Sequence, residues 1–371
     1  MIPRNRALLL TFAIVSSSSA VVAAADPSPT GNGRFVFSSP PLRSWSSIPA
    51  ATGDAETASA VARVRTIPTF QDTFAYGGQT YTYTMVGRNP RLSTRRSVVP
   101  AVIVPLRFVF ADGEQFDPAK TTRQMRRSPI FRRSAFASGT TQYGDAIQRA
   151  EFSTFTQGTH YHVLLGHPAV AAMQVFHVPA SEGMTSMSQF GGTVGLVAES
   201  FLLEQVVPTV INRLRIPPSK LLILWSYDVA LKPPGGQTGL ILGEHSAGTD
   251  RTNTNIWTFT WASWNTADVV PEEDTDVAAI SHEIAEWYND PFAANAVPPW
   301  EAPPNYPCNP LLEVGDPLVG TTFVQDGYHL QDEAFLSWFA REVPSMGLDG
   351  RYSFLGTLTA PPPVCTVAPS P

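Results

Sequence analysis

Residues 98–110 (VVPAVIVPLRFVF) constrain the fold more than any other segment of the chain. Their side chains are almost all apolar and many are β-branched, which is typical of a strand inside a buried sheet. Residues 80–86 alternate between threonine and larger side chains, and this pattern predicts one strand of a hairpin. We therefore expect sheet structure in the first half of the folded region.

The second half of the chain alternates between helical and strand-like patterns. Apolar residues at helical or strand spacing predict a helix at 196–214, strands at 221–229 and 256–264, and a helix at 274–288. This order indicates an α/β or α+β layer architecture, and we take α+β as the fold class. The sequence contains no internal repeat, and we expect one large domain at 67–371.

The first 25 residues have the three parts of a secretory signal. Arg4 and Arg6 form a positive region, residues 7–15 are apolar, and three alanines precede position 26. We therefore expect a signal peptide at 1–25 and a secreted protein, either extracellular or periplasmic. Residues 26–66 are rich in Ser, Pro, Ala and Gly and predict a low-complexity linker. Since no segment approaches the ~18 uninterrupted apolar residues of a membrane helix, we expect no membrane span.

The net charge of the chain limits its possible binding partners, and its two cysteines bear on the cellular compartment. The chain has 25 Lys and Arg against 31 Asp and Glu, a formal net charge of −6, which argues against a nucleic-acid partner. Cys308 and Cys365 are the only cysteines in the sequence. In an oxidising compartment an isolated pair is most simply a disulfide, so we expect these two to be bonded. The sequence makes no prediction of oligomeric state.

The predicted helix at 274–288 carries two different faces. At 100° per residue its apolar stripe consists of Val277, Ile280, Ile284 and Trp287. His282 and Glu286 are four residues apart and lie together on another face, with Glu283 at its edge. That face therefore combines a histidine with two carboxylates.

The string HEIAE at 282–286 is close to the HExxH motif of zinc proteases. In that motif both histidines bind zinc, and the adjacent glutamate accepts a proton from water. Because zinc also accepts carboxylate oxygen, His282 and Glu286 are candidate metal ligands and Glu283 is the candidate general base. An anionic ligand withdraws less charge from bound water, which makes the metal a weaker Lewis acid.

A catalytic zinc needs a third protein ligand and one open position. Downstream of the helix, a proline-rich connection leads to Glu313 and Asp316. We take Glu313 as the ligand and Asp316 as an acceptor that orients His282, and these two roles can be exchanged. For His245 we expect a hydrogen-bonded loop histidine rather than a ligand.

These elements resemble the active-site region of zincin metallopeptidases. The HExxE form, the Asn-Asp-Pro stop at 289–291, the ExxD string at 313–316 and a histidine motif at 243–246 are more similar to the exordium, or phosphate-induced, family of secreted proteins and to related bacterial secreted proteins. The resemblance covers residues 240–317. It implies a zincin-like mixed sheet with a central HExxE helix and a bound metal, and it implies little about substrate.

Two functional hypotheses follow. In the first, the protein is a secreted zinc-dependent hydrolase, metallopeptidase-like, that acts on peptide or protein substrates. His282, Glu286 and Glu313 bind zinc there, and Glu283 acts as the general base. In the second, it is a catalytically inactive binding or cell-surface protein on a zincin-like scaffold. Calcium is the alternative metal, because the site is rich in oxygen ligands.

Overall fold

The computed structural model describes residues 64–233, 240–250, 254–301, 308–363 and 365. The predicted signal peptide and linker residues 26–63 lie outside the described residues. The strands are β1 (Thr69–Tyr76), β2 (Gln79–Val86), β3 (Ser97–Val99), β4 (Ala101–Phe110), β5 (Gln115–Phe116), β6 (Ser134–Phe136), β7 (Gly139–Thr141), β8 (Val163–Leu165), β9 (Ala169–Val170), β10 (Gln174–Val178), β11 (Gly183–Met187), β12 (Thr193–Ala198), β13 (Leu221–Tyr227), β14 (Val229–Lys232), β15 (Gly243–Thr249), β16 (Ile256–Trp264), β17 (Ala296–Trp300), β18 (Asn309–Leu311), β19 (Thr322–Gln325) and β20 (Tyr328–Gln331).

Helices are fewer and mostly short. They are α1 (Ala119–Met125), α2 (Tyr143–Glu151), α3 (Ser153–Thr156), α4 (Glu199–Phe201), α5 (Val207–Leu214), α6 (Ala278–Asn289) and α7 (Leu336–Phe339). A π-helical turn at Leu202–Val206 joins α4 to α5. Among the described residues, no helix combines the length and the apolar character that crossing a membrane requires.

The largest sheet in the described chain is mixed. Its strand order is β10-β4-β13-β16-β15, with β5 and β9 also paired to β4. β10, β4, β13 and β16 run parallel to one another, whereas β15 is antiparallel to β16 and ends this order. Smaller sheets of two or three strands surround it. The predicted α+β class, with helices and strands mixed in one chain, is confirmed at this level.

Both faces of the large sheet are covered, which explains the continuous apolar run in β4. Alternate residues of β13 enter different clusters: Ile223 and Trp225 pack in the cluster that contains α6, and Leu222 and Leu224 pack in the cluster that contains α5. Side chains of a strand point alternately to opposite faces, so a strand between two helical layers needs apolar residues at every position.

Two segments differ from their predictions. The helix expected at 196–214 begins only after Ala198, because the preceding residues form β12 and pair with β14. His245, expected in a loop, lies in the strand β15, which ends the strand order of the large sheet. The disulfide between Cys308 and Cys365 is present, with the two Cα atoms 5.7 Å apart, as predicted.

Glu151 of α2 gives the fold a testable pH dependence. Its carboxylate is buried and accepts the Leu336 N–H, and burial raises its pKa from 4.5 to about 8. Between pH 4.5 and about pH 8 the folded chain therefore binds more protons than the unfolded chain. As the pH rises through this range, the free energy of unfolding falls by up to about 1.4 kcal/mol per pH unit. Replacing Glu151 with Gln should remove this dependence, which denaturant unfolding at pH 5 and pH 8 can measure. If wild type and Glu151→Gln differed in their free energy of unfolding by the same amount at both pH values, the raised pKa of Glu151 would be contradicted.

Candidate metal centre

Helix α6 lies at the centre of the protein, and every one of its residues is buried. It packs against β15 and β16 of the large sheet, against β20, and against α2. Its apolar stripe joins the main core. The opposite, polar face is enclosed as well, so its charged residues meet other protein groups rather than solvent.

His282 contacts two carboxylates from two different elements. Its Nε2 lies 3.2 Å from Glu286 Oε2 and 3.8 Å from Asp316 Oδ1. One ligand atom from each of the three residues lies within 4.8 Å of the others. The Gly315 N–H donates to Glu286 Oε1 at 3.2 Å, which leaves Oε2 directed toward His282.

His245 approaches the same helix from strand β15. Gly243 and His245 are two residues apart and therefore point to the same face of the strand, toward α6. His245 Nδ1 lies 3.2 Å from Glu286 Oε2 and 3.4 Å from Glu283 Oε2, and its Nε2 lies 3.9 Å from Glu313 Oε2. His245, Glu286 and Glu313 form a second group whose ligand atoms lie within 4.8 Å of one another.

Several of these closely spaced atoms have no hydrogen bond within the described residues. No hydrogen bond within the described chain reaches either nitrogen of His245, Nε2 of His282, either oxygen of Glu283, or Oε2 of Glu286 and Glu313. Buried polar atoms are nearly always hydrogen-bonded, so a group of exceptions needs an explanation such as a bound ion. Two ligands of a tetrahedral zinc ion with bonds of 2.0–2.1 Å lie about 3.3 Å apart. Two of the observed pairs, at 3.2 Å, match this distance, whereas the pairs at 3.8 and 3.9 Å exceed it.

Burial and mutual contact shift the pKa values of these groups. Burial raises the pKa of Glu283, and it raises the pKa of Glu313 well above its usual range. Burial also opposes ionisation of Glu286, but His282 and His245 together hold its pKa at about 2. Burial would lower the pKa of His282 and of His245, but the neighbouring carboxylates raise both well above the usual value. Glu286 thus ionises more readily than Glu283 and Glu313.

Two glycines make room for the site. A Cβ on Gly315 would lie 2.4 Å from Nδ1 of His282, and a Cβ on Gly243 would lie 2.3 Å from Oε1 of Glu283. Real Cβ atoms essentially never show such contacts. Neither glycine has the left-handed backbone that would by itself require glycine. Both positions therefore need a small residue because of the His282 ring and the Glu283 carboxylate.

Gln331 of β20 fixes the other side of the His282 ring. Its Nε2 donates to Gly315 O at 2.8 Å and lies 2.9 Å from Nδ1 of His282. With an amide nitrogen there, Nδ1 accepts, and the neutral ring carries its proton on Nε2, toward Glu286. For Nε2 to bind a metal ion, the proton of the neutral His282 ring must lie on Nδ1. Nδ1 then donates to the side-chain oxygen of Gln331.

The structure brings together every residue that the sequence proposed for the site: His282, Glu283, Glu286, Glu313 and Asp316. Asp316 lies with His282, while Glu313 lies with His245. The sequence left open which of the two acids is the ligand and which orients His282; in the structure Asp316 is the one grouped with His282 and Glu286. The expectation of a hydrogen-bonded loop histidine at 245 was wrong, because His245 is a buried strand residue without a hydrogen bond on either nitrogen in the described chain. Gln331 was not among the sequence candidates.

Comparison with protein-family models, with curated proteins and with solved structures found no match. The chemistry of the centre is therefore inferred from the geometry of its own residues.

Proposed function

We propose that the protein is a secreted zinc-dependent hydrolase, metallopeptidase-like, with its metal held by His282, Glu286 and Asp316. The observation that carries the proposal is the enclosed contact of His282 Nε2 with Glu286 Oε2 at 3.2 Å, where neither atom has a hydrogen bond in the described chain. The Cys308–Cys365 disulfide supports an oxidising compartment.

Glu283 is placed to serve as the general base. A zinc ion at this site would supply Lewis acidity to a carbonyl and lower the pKa of water. Glu283 Oε1 lies 3.9 Å from His282 Nε2, beside the ligand set, and Oε2 faces His245. There its carboxylate would accept the proton of an attacking water and return it to the leaving group. Burial raises the pKa of Glu283, which brings it closer to that of an effective base at neutral pH.

One observation favours the second hypothesis, a metal-stabilised protein without turnover. The side chains of His282, Glu283 and Glu286 are at most 1% exposed, and that of Asp316 is 12% exposed. A substrate has to reach the metal for hydrolysis, whereas a structural zinc site is closed. The two hypotheses differ in whether Glu283 takes part in a reaction.

Metal removal tests the proposal. We expect purified protein to contain zinc by elemental mass spectrometry, and a strong chelator to abolish peptide hydrolysis and lower Tm, with both restored by added zinc. An ion present at a thousand times its Kd stabilises by about 4 kcal/mol, which is roughly 8–16 °C at 2–4 °C per kcal/mol. The control is His282→Gln, whose Tm should respond to the chelator less than that of the wild type. A metal-free wild type with an unchanged Tm would end the proposal.

A further inference from the structure

We infer that the protein binds a second divalent cation between His245, Glu286 and Glu313, so that Glu286 is shared by two metal ions. The inference rests on the proposed function, in which the first ion lies between His282, Glu286 and Asp316. Two groups of potential ligands are present, each with one ligand atom per residue and all three atoms within 4.8 Å. The groups have Glu286 in common and otherwise use different residues.

His245 is the independent evidence for the second position. Its side chain is 2% exposed, and neither ring nitrogen has a hydrogen bond in the described chain. Nδ1 faces Glu286 Oε2 at 3.2 Å, and Nε2 faces Glu313 Oε2 at 3.9 Å. A buried histidine usually satisfies at least one nitrogen with a backbone or side-chain partner. Each nitrogen of His245 instead faces a carboxylate oxygen, and both of these oxygens also lack a hydrogen bond in the described chain.

Glu286 is oriented so that one oxygen serves both groups. Its Oε1 accepts the Gly315 N–H at 3.2 Å. Its Oε2 lies 3.2 Å from His245 Nδ1 and 3.2 Å from His282 Nε2. The helix therefore places a single carboxylate oxygen between histidines that come from two different elements. Two-metal sites in hydrolases hold their ions about 3.5–4 Å apart, a separation that one carboxylate can span.

In the described part of the chain, the carboxyl groups of the centre face histidines rather than Lys or Arg side chains. The centre encloses four carboxyl groups, those of Glu283, Glu286, Glu313 and Asp316, and two imidazoles. Within the described residues, no Lys or Arg lies at ion-pair distance from the three glutamates; their ion-pair partners are His245 and His282. Buried charges are costly unless they are paired. A divalent cation between His245, Glu286 and Glu313 would pair with two of these glutamates at a place where no Lys or Arg of the described residues does so.

Metal stoichiometry tests the inference without reference to activity. Full-length protein is dialysed against zinc, freed of loose metal, and analysed for zinc per chain. We expect two ions in wild type, one in His245→Gln and one in His282→Gln. Glu313→Gln, which nearly preserves side-chain volume, should match His245→Gln and decides the question if that variant does not fold. His162→Gln is the matched control, because His162 forms a histidine–carboxylate pair with Asp145, at 2.7 Å, outside the centre.

The outcomes separate this inference from the proposed function. One ion in wild type, lost in His282→Gln and kept in His245→Gln, would overturn the second position and leave the hydrolase proposal standing. One ion lost in both variants would indicate a single shared centre and would also overturn it. A wild type without any zinc would overturn both. Manganese offers a second readout, because two adjacent Mn²⁺ ions give a spin-coupled EPR spectrum that either single-histidine variant should convert to that of an isolated ion.

Discussion

Replacement of Glu283 by Gln is expected to lower the rate of hydrolysis about 10²- to 10⁴-fold, or roughly 3–5 kcal/mol in the activation free energy, while zinc content stays at the wild-type level. Glutamine keeps the size of the side chain but cannot accept a proton. Glu283 belongs to neither group of three ligands around Glu286, so its loss should not remove a metal-binding atom. The measurements are kcat/KM on a peptide substrate and zinc per chain on the same preparation.

Glu273→Gln is the matched control for this experiment. Glu273 lies in the 3-10 turn just before α6 and is exposed, so the same chemical change there should alter neither rate nor zinc content. If Glu283→Gln hydrolysed substrate at the wild-type rate, the general-base role would be lost. If wild type bound zinc but hydrolysed nothing, the closed site would be structural, and the binding or cell-surface hypothesis would replace the hydrolase.

The sequence predicted those elements whose apolar pattern is dictated by burial. β4 and β13 were predicted because each lies between two packed layers and needs apolar residues on both faces. Helix α6 was predicted because its stripe faces the core. The predicted start of this helix, at 274, was too early, because helix α6 begins at Ala278. A 3-10 turn precedes the helix, and Asp276 between them adopts a left-handed backbone with φ of 50°. Asp276 accepts the backbone N–H of His329, a tertiary contact that no local pattern shows.

The sequence did not predict the remaining parts of the centre, because they lack the residue patterns that indicate a strand or a metal ligand. Strand β15 has the sequence GEHSAGT, with no β-branched apolar residue, so the sequence indicated a loop and His245 was assigned a loop role. Its place in the sheet comes from pairing with β16. Gln331 carries no metal-ligand chemistry and lies far along the chain, so only the fold shows that it contacts His282. The HExxE spacing located Glu286, but not the fact that two histidines share it.

Gly315→Ala is expected to weaken zinc binding about 10- to 100-fold, the effect usual for changes beside a metal-ligating histidine. The added Cβ would lie 2.4 Å from Nδ1 and 2.5 Å from Cε1 of His282. Because the backbone at Gly315 has φ of −83° and ψ of −33°, alanine adopts it without strain, and the effect is steric. The ring is enclosed and cannot avoid the methyl group without moving Nε2 away from Glu286. Zinc affinity is measured by competition with a chelating dye of known Kd.

Gly166→Ala is the matched control, because a Cβ at Gly166 would have its nearest neighbour at 3.5 Å, an ordinary contact. It should leave zinc affinity unchanged. Wild-type affinity in Gly315→Ala would mean that the metal does not depend on the position of the His282 ring, and His282 would then be removed from the ligand set. Loss of affinity in Gly315→Ala but not in Gly166→Ala would tie the metal to this one imidazole. It would also explain why the residue before Asp316 is a glycine although its backbone conformation does not require one.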